Sequence, residues 1–303
     1  MADAGRMAHA IHGGTRTAGV IGYPVSASRS PAMHNAAFAA LGLDWRYLAF
    51  EVADERVPDA VHGAVALGFA GLNVTAPHKA IVATLVDRLD PDAAVLGLVN
   101  TVVFAAGETV GYSTDGPGFL EAARDAGVAS VAGLRAVVLG AGGAGTSVAA
   151  ALDAGGARVT LLNRDPVRLT AALEVLAAVR AQRPSAPADQ APAAGHALGS
   201  AGALAAVAAA GLVVNAIPPE AGPPRRIVPA LAPTALVCDL AYEPQVTPFL
   251  AATAGACRRQ WNGLGMLLHQ GARSQRLWTG REAPLRVMAE AIGYRLPPQR
   301  PHA

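Results

Sequence analysis

The chain has 303 residues, of which 52% are hydrophobic and 15% are charged, and its formal net charge is +2. This length favours about two domains, and the absence of a basic cluster excludes the electrostatic footprint of a nucleic-acid-binding protein. No run approaches the ~20 apolar residues of a membrane span, so we expect small-molecule chemistry and a cytoplasmic protein.

The cysteines and the amino-terminal segment argue against two further classes of feature: disulfide or metal sites, and targeting segments. Cys238 and Cys257 lie in short apolar or strand-like runs without a CxxC neighbour. This pattern argues against a disulfide framework or a metal site and favours reduced core residues. Residues 1–16 lack the continuous apolar segment of a signal peptide or an anchor, and we expect a disordered tail.

The first predicted strand, residues 20–22, leads through a polar loop into a helix. Ser30 is a suitable N-cap and Pro31 a suitable first helical residue. The hydroxyl groups of Ser28 and Ser30 would then meet the unpaired N–H groups of the helix start, which suits a carboxylate ligand. The alternative is that Ser30 only caps the helix and Ser28 only forms the turn.

The next elements alternate between strand and helix: a strand at 45–52, a helix at 54–67 and a strand at 70–74. This alternation predicts a parallel sheet with helices on its faces. The third strand leads into a segment that ends at Lys79, at the sheet edge where ligands bind in open α/β folds. A cation in the first turn of a helix is electrostatically unfavourable, which indicates a functional reason for Lys79.

A strand at 99–105, with Asn100 near its start, is followed by a tight turn at Gly107 and a segment that ends in Asp115. Asp115 lies at a strand end, just before a helix predicted to begin at Pro117. Its alternative interpretation is an N-cap or turn aspartate.

Four segments in this half resemble the shikimate dehydrogenase family: GYPVSASRSPAMHN (22–35), NVTAPHK (73–79), GLVNT (97–101) and GYSTDGPGF (111–119). The resemblance implies NADPH-dependent, reversible reduction of 3-dehydroshikimate to shikimate, in the pathway to chorismate and the aromatic amino acids. It assigns the substrate carboxylate to Ser28 and Ser30, the ring hydroxyls to Thr75 and Asn100, and proton transfer to Lys79 and Asp115. Two positions depart from the family pattern: Ala27 replaces a histidine and Ser113 an asparagine.

Residues 136–139 form an apolar run that ends in a glycine-rich turn and an alanine-rich helical pattern. Gly140, Gly142 and Gly145 match the dinucleotide fingerprint, in which the helix N-terminus binds a pyrophosphate. The alternative is a βα turn without a ligand. The resemblance favours cofactor binding by the whole turn: Gly140, Ala141, Gly142, Gly143, Ala144 and Gly145.

The strand at 158–162 is followed by Asn163, Arg164 and Asp165. An acidic residue at this place binds the ribose diol of NAD, whereas an arginine accommodates the 2′-phosphate of NADP. Asn163 occupies the acidic position and Arg164 follows it, which predicts NADP. Asp165, where the family usually has threonine, either caps the helix starting at Pro166 or weakens the preference for NADP.

Further along, the composition of residues 183–200 predicts a loose surface insertion. Strands are predicted at 212–215 and 235–240, and a helix that opens near Gly263 and ends near Gly280. His269 is expected to be a surface or packing residue. The resemblance assigns Ala216, Ile217, Gly263 and Met266 to the cofactor site and Tyr242 and Gln270 to the substrate site. The alternative for Tyr242 is a buried tyrosine of the core.

Together these features predict an α/β protein. Residues 1–116, completed by C-terminal helices at 264–303, would form a substrate domain with a mostly parallel sheet, and residues 117–263 a Rossmann-type NADP-binding domain. The expected partner is the small-molecule substrate, without nucleic acid or membrane, and the protein is expected to be a monomer or homodimer. The alternatives are a quinate/shikimate or aminoshikimate dehydrogenase that uses NAD, or a non-catalytic binding paralogue.

Overall fold

The computed structural model describes residues 10–105, 107–182, 191–222 and 224–298. Its strands are β1 Arg16–Gly22, β2 Trp45–Glu51, β3 Gly71–Val74, β4 Arg88–Leu89, β5 Thr101–Ala105, β6 Glu108–Tyr112, β7 Arg135–Leu139, β8 Arg158–Asn163, β9 Ala194–Ala197, β10 Leu212–Asn215, β11 Leu236–Asp239 and β12 Arg259–Asn262. Its α-helices are α1 Ser30–Ala40, α2 Val57–Ala66, α3 Lys79–Ala83, α4 Pro91–Leu96, α5 Asp115–Asp125, α6 Gly143–Ala154, α7 Pro166–Ala181, α8 Ala201–Ala208, α9 Pro248–Thr253, α10 Leu264–Thr279 and α11 Leu285–Ala291.

The chain divides into two compact units. The first contains the described residues up to Leu89, together with Val99–Tyr112 and Gly271–Leu296. The second contains Asp90–Leu98 and the described part of Ser113–Gln270. Each unit is built around its own six-stranded sheet.

The sheet of the first unit has the strand order β2-β1-β3-β5-β6-β4. Strands β1, β2 and β3 pair in parallel, as the alternation predicts, whereas β5 is antiparallel to both β3 and β6. The β5–β6 pair is a hairpin, and Gly107 at its turn has a φ of +84°, which suits glycine. The sheet is therefore mixed, with mostly parallel pairs.

An aromatic core fills one side of this sheet. Phe38, Trp45, Tyr47 and Trp278 are all buried there. The Trp278 indole N–H donates to the Val102 carbonyl at 3.0 Å. The residues after Gly271 thus supply part of the core of the first unit, because Trp278 comes from α10.

The sheet of the second unit is entirely parallel, in the order β12-β11-β10-β7-β8-β9. The chain proceeds from β7 outward to β9 and then returns to the other side of β7 for β10 to β12. This doubly wound order confirms the Rossmann-type prediction. The ligand crevice of such a sheet lies at the carboxyl ends of β7 and β10, where the winding direction changes.

Several elements differ from their predicted form. The helix predicted at 54–67 starts as a 3₁₀ turn, Asp54–Arg56, before α2. The predicted insertion at 183–200 contains β9, which pairs in parallel with β8, so its described part is not a loose loop; residues 183–190 lie outside the described residues. Strand β4 and helix α4 had no prediction.

The predicted disordered segment at 1–16 is wrong at its end, since Arg16 begins β1 and the Thr15 hydroxyl donates to the Asp44 carboxylate at 3.0 Å. Residues 1–9 of that tail lie outside the described residues. Both cysteines are free thiols. Burial raises the pKa of the Cys238 thiol well above its ordinary value, which fits the predicted core role.

The described ranges contain neither a membrane-spanning helix nor a metal-binding cluster. None of the helices there is long and apolar enough to cross a membrane. Nor do three or more His, Cys, Asp or Glu side chains come together there in a way that would hold a metal ion.

Candidate active site

The loop after β1 carries the two predicted carboxylate-binding serines. The Ser28 N–H donates to the Val25 carbonyl at 3.0 Å, and the Ser28 hydroxyl accepts the N–H of Ser30 at 3.3 Å. Ser30 is buried and Ser28 is half-buried. Arg29, not Ser30, occupies the N-cap position, so the prediction that Ser30 caps this helix is wrong. The reason is the helical backbone conformation of Arg29 (φ −88°, ψ −1°), which starts the helix one residue earlier.

The segment after β3 lies directly beside the end of β1. The Thr75 N–H donates to the Ile21 carbonyl at 2.9 Å, and a Cβ on Gly22 would overlap the Thr75 methyl group. The N–H of His78 in turn donates to the Thr75 carbonyl at 3.0 Å. Lys79 follows as the first residue of α3, as predicted. Only a glycine at position 22 permits this close approach of the two segments.

A buried polar network adjoins Asn100, which is itself buried. The Asn100 carbonyl accepts hydrogen bonds from the Val74 N–H at 2.9 Å and from the Asn73 side-chain amide at 3.0 Å. The Asn73 side-chain oxygen accepts the Tyr47 hydroxyl at 2.7 Å, and the Thr101 hydroxyl donates to the Asn100 side chain at 3.4 Å. Sequence reasoning missed Asn73, although it begins the NVTAPHK segment. Its contacts hold the backbone of Asn100 in place at the end of β3.

Residue usage sets Lys79 apart from every other basic residue. It is the only lysine in the chain, and the other 23 lysine-or-arginine positions are all arginine. Arginine stays protonated in proteins, whereas the lysine ammonium group can give up a proton. A cation at this position opposes the helix dipole. The use of lysine here, and of arginine everywhere else, therefore indicates that the residue transfers a proton and does not only supply a positive charge.

In the second unit, the glycine turn has the geometry that a dinucleotide requires. Gly140 has φ +97°, and a Cβ on it would lie 3.1 Å from the Ala216 backbone. A Cβ on Gly145 would overlap the Gly140 carbonyl oxygen, so the start of α6 packs tightly on β7. A Cβ on Gly142, the N-cap of α6, would have no described neighbour within 4 Å. The turn is thus tight where it packs and open where a pyrophosphate would approach.

The end of β8 confirms the N-cap role predicted for Asp165. The Asp165 carboxylate accepts the N–H groups of Val167 at 2.9 Å and Arg168 at 3.3 Å, and so caps α7. Its second oxygen lies 3.5 Å from the Arg168 guanidinium group. The Asn163 side chain donates to the Asp165 carbonyl at 3.1 Å. Arg164 is exposed beside this cap, where an arginine would meet a 2′-phosphate.

Hydrogen bonds also fix the residues at the ends of strands β10 and β11. Ala216 contacts the glycine turn, and the Ile217 N–H donates to the Asn215 side chain at 3.2 Å. Asn215 also donates to the Asp239 carboxylate at 3.0 Å, and burial raises the pKa of this carboxyl group. Tyr242 is half-buried in the loop that Asp239 begins.

The remaining predicted site residues lie on α5 and α10. Asp115 is buried and is the first residue of α5, so this helix begins two residues earlier than predicted. Thr114 takes the N-cap position, which removes the N-cap interpretation of Asp115. Gln270 is buried against Gly118 of α5, and its side chain donates to the Leu267 carbonyl at 2.8 Å.

The start of α10 is closely packed. A Cβ on Gly263 would overlap the Leu240 carbonyl, and Met266 is buried in the core of the second unit. His269 is a packing residue, because it is buried and its ring lies 2.8 Å from the Asp125 carboxylate and 3.4 Å from that of Glu121.

Comparison with known proteins identifies the family. Residues 20–102 match the shikimate dehydrogenase substrate binding domain, and residues 263–292 match the shikimate 5′-dehydrogenase C-terminal domain. The chain is 42% identical over 282 residues to a shikimate dehydrogenase (NADP(+)) of Methanopyrus kandleri, covering 92% of this chain and 95% of that one. The chain belongs to the shikimate dehydrogenase family.

Solved structures of this family share its fold. The shikimate 5-dehydrogenase of Thermus thermophilus, in complex with NADP(H) and shikimate, is 32% identical with a TM-score of 0.76, covering 91% of this chain and 98% of that one. The quinate dehydrogenase of Corynebacterium glutamicum, in complex with NAD, is 32% identical with a TM-score of 0.78, covering 92% and 98%. These two structures therefore hold different cofactors, and the two proteins are named for different substrates.

Proposed function

We propose that the protein is an NADP-dependent shikimate dehydrogenase that reversibly reduces 3-dehydroshikimate to shikimate. One observation carries this proposal most directly. The chain's single lysine begins α3, and the segment between β3 and α3 is hydrogen-bonded to the end of β1, the strand that leads to Ser28 and Ser30. A carboxylate-binding loop beside a proton-donating lysine suits a substrate that has a carboxylate and a reducible carbonyl group.

Each residue then has one task. Ser28 and Ser30 bind the substrate carboxylate, and Thr75 and Asn100 bind ring hydroxyls. Lys79 donates a proton to the carbonyl oxygen as it becomes an alkoxide, and Asp115 assists this proton transfer. Tyr242 and Gln270 complete the proposed set of substrate-binding residues.

The second unit fits NADP. The glycine turn would hold the pyrophosphate, Asn163 and Arg164 the adenosine ribose and its 2′-phosphate, and Ala216, Ile217, Gly263 and Met266 the rest of the molecule. The Asp165 carboxylate caps α7 and lies 3.5 Å from the Arg168 guanidinium group, so a cation offsets part of its charge next to the proposed phosphate position. Bound NADPH supplies the hydride for the carbonyl carbon, while the protein supplies orientation and the proton.

The direct test is oxidation of shikimate by the purified protein with NADP. The reaction is monitored by the absorbance of NADPH, and the product is identified by mass spectrometry. We expect 3-dehydroshikimate as the product. Binding of shikimate without turnover would instead support the non-catalytic paralogue, and turnover of quinate alone would support the quinate enzyme.

Replacing Ser30 with alanine is expected to raise KM for shikimate about tenfold and to leave kcat within a few-fold, because a charge-assisted hydrogen bond to a carboxylate contributes about 1.5–3 kcal/mol. A carboxylate far from the reacting carbon is bound similarly in the ground and transition states. Steady-state kinetics of Ser30→Ala beside Ser26→Ala, an exposed serine of the same loop, measures this effect. A fall in kcat at unchanged KM would remove Ser30 from carboxylate binding.

Replacing Arg164 with alanine is expected to lower kcat/KM for NADP by roughly tenfold or more and to leave the value for NAD unchanged, since only NADP carries the 2′-phosphate. Arg158→Ala, an exposed arginine at the other end of β8, controls for the lost charge. Equal losses with NADP and NAD would place Arg164 at a part that both cofactors share.

A further inference from the structure

A cavity of about 350 Å³ in the second unit brings together three arginines from two distant parts of the chain. Arg164 comes from the end of β8, whereas Arg225 and Arg226 come from the 3₁₀ segment Arg225–Ala230 that follows β10. The volume lies within the range of small-ligand sites. Sequence reasoning gave no role to Arg225 or Arg226.

The cavity lies beside the glycine turn. Ile217 lines it, and a side-chain carbon of Ile217 lies 3.3 Å from the Cβ position of Gly140. Gly199, which follows β9, lines it as well, and the aliphatic stem of Arg226 comes within 4.0 Å of the Cβ position of Gly199. A dinucleotide whose pyrophosphate lies on the turn would therefore extend its adenosine half toward this cavity.

The charges of this cavity are not balanced by nearby carboxylates. Within the described part of the chain, no carboxylate lies within 4.0 Å of the guanidinium groups of Arg164, Arg225 or Arg226. Asp165, the nearest acidic residue to Arg164 in the sequence, is already engaged by Arg168 and the α7 cap. Three cations around one cavity repel each other unless an anion binds there.

A ribose phosphate carries about −1.5 to −2 charges at neutral pH. One exposed arginine leaves part of that charge unmatched, and a phosphate has several acceptor oxygens for further guanidinium groups. We propose that Arg225 and Arg226 bind the 2′-phosphate of the cofactor together with Arg164, and so set the preference for NADP over NAD. This proposal rests on the proposed function, because it names further residues for the same cofactor.

The test uses two probes that differ only in the 2′-phosphate: adenosine 2′,5′-bisphosphate and adenosine 5′-monophosphate. We expect Arg225→Ala and Arg226→Ala each to weaken calorimetric binding of the bisphosphate by about tenfold, while binding of the monophosphate changes less than twofold. The double variant is expected to lose more than either single variant. Arg158→Ala, which removes an exposed arginine outside this cavity, should leave both affinities unchanged.

Two results would overturn the proposal: an unchanged affinity ratio for the two probes in the double variant, or an equal loss for both probes. Glutamine variants at the same positions repeat the measurement if an alanine variant does not fold. NADP-dependent shikimate oxidation by the wild-type protein is measured alongside. If the wild type is active and the variants keep the wild-type ratio of affinities for the two probes, the proposed function stands and the proposed role of Arg225 and Arg226 is wrong.

Discussion

Replacing Lys79 with alanine is expected to lower kcat for shikimate oxidation by about 10²- to 10⁴-fold and to leave NADP binding within twofold of the wild-type value. The first range is what a general acid–base group contributes to rate. The second follows because Lys79 belongs to the first unit, whereas the glycine turn that we propose for the pyrophosphate belongs to the second. Stopped-flow or steady-state kinetics, together with cofactor titration, measures both quantities.

The matched variants separate charge from proton transfer. Lys79→Arg keeps the positive charge but cannot cycle its proton, so we expect it to be nearly as inactive as Lys79→Ala. Ile81→Ala changes a partly exposed residue of the same helix and should retain activity. An active arginine variant would show that Lys79 supplies charge only, and the proton donor would have to be sought elsewhere.

Because the chain has one lysine, chemical modification gives an independent check. Reductive methylation can modify only Lys79 and the terminal amino group. We expect shikimate to slow the modification of Lys79, read by peptide mass spectrometry, and to leave the amino terminus unaffected. Equal labelling with and without shikimate would contradict a contact between Lys79 and substrate.

Replacing Gly145 with valine is expected to abolish detectable NADP binding and to destabilise the second unit. The new side chain would collide with the Gly140 carbonyl at the base of the turn, and Ala216 lies only 3.2 Å from the Cβ position. Overpacking of this kind typically costs about 1–3 kcal/mol. Thermal unfolding and cofactor titration measure the two effects.

Two glycines provide the controls for this variant. Gly63→Ala, in α2 of the first unit, places its Cβ in open space and should affect neither stability nor NADP binding adversely. Gly142→Ala also places its Cβ away from the described atoms, so we expect normal stability but weaker cofactor binding, because the methyl group would enter the space proposed for the pyrophosphate. Normal NADP binding by Gly145→Val would contradict the assignment of the turn.

Local sequence signals predicted the second unit most closely. The apolar run before Gly140, the three spaced glycines and Arg164 at the next strand end are all local features, and the structure places each as predicted. Strand β10 was predicted with its observed bounds, since four apolar or strand-end residues are followed by the turn at Ala216. Such positions need no information from distant parts of the chain.

One error has a local cause and another a tertiary cause. Ser30 has the residue type of an N-cap, but Arg29 takes that position and the N–H of Ser30 donates to Ser28. Strand β9 has an alanine- and glycine-rich sequence with weak strand propensity, and only its pairing with β8 makes it a strand.

The residues that sequence reasoning missed have partners far away in the chain. Asn73 bonds to Ser274 at 3.0 Å, and Arg226 shares its cavity with Arg164. No local pattern marks either pair. The site residues taken from the family resemblance stay predictions until the variants above are measured.

The most direct test of the proposed function compares kcat/KM for four combinations: shikimate or quinate as substrate, each with NADP or NAD as cofactor. We predict the highest kcat/KM for shikimate with NADP, and a large decrease in kcat/KM when quinate replaces shikimate or NAD replaces NADP. The highest value for quinate, or for NAD with either substrate, would contradict the proposed function.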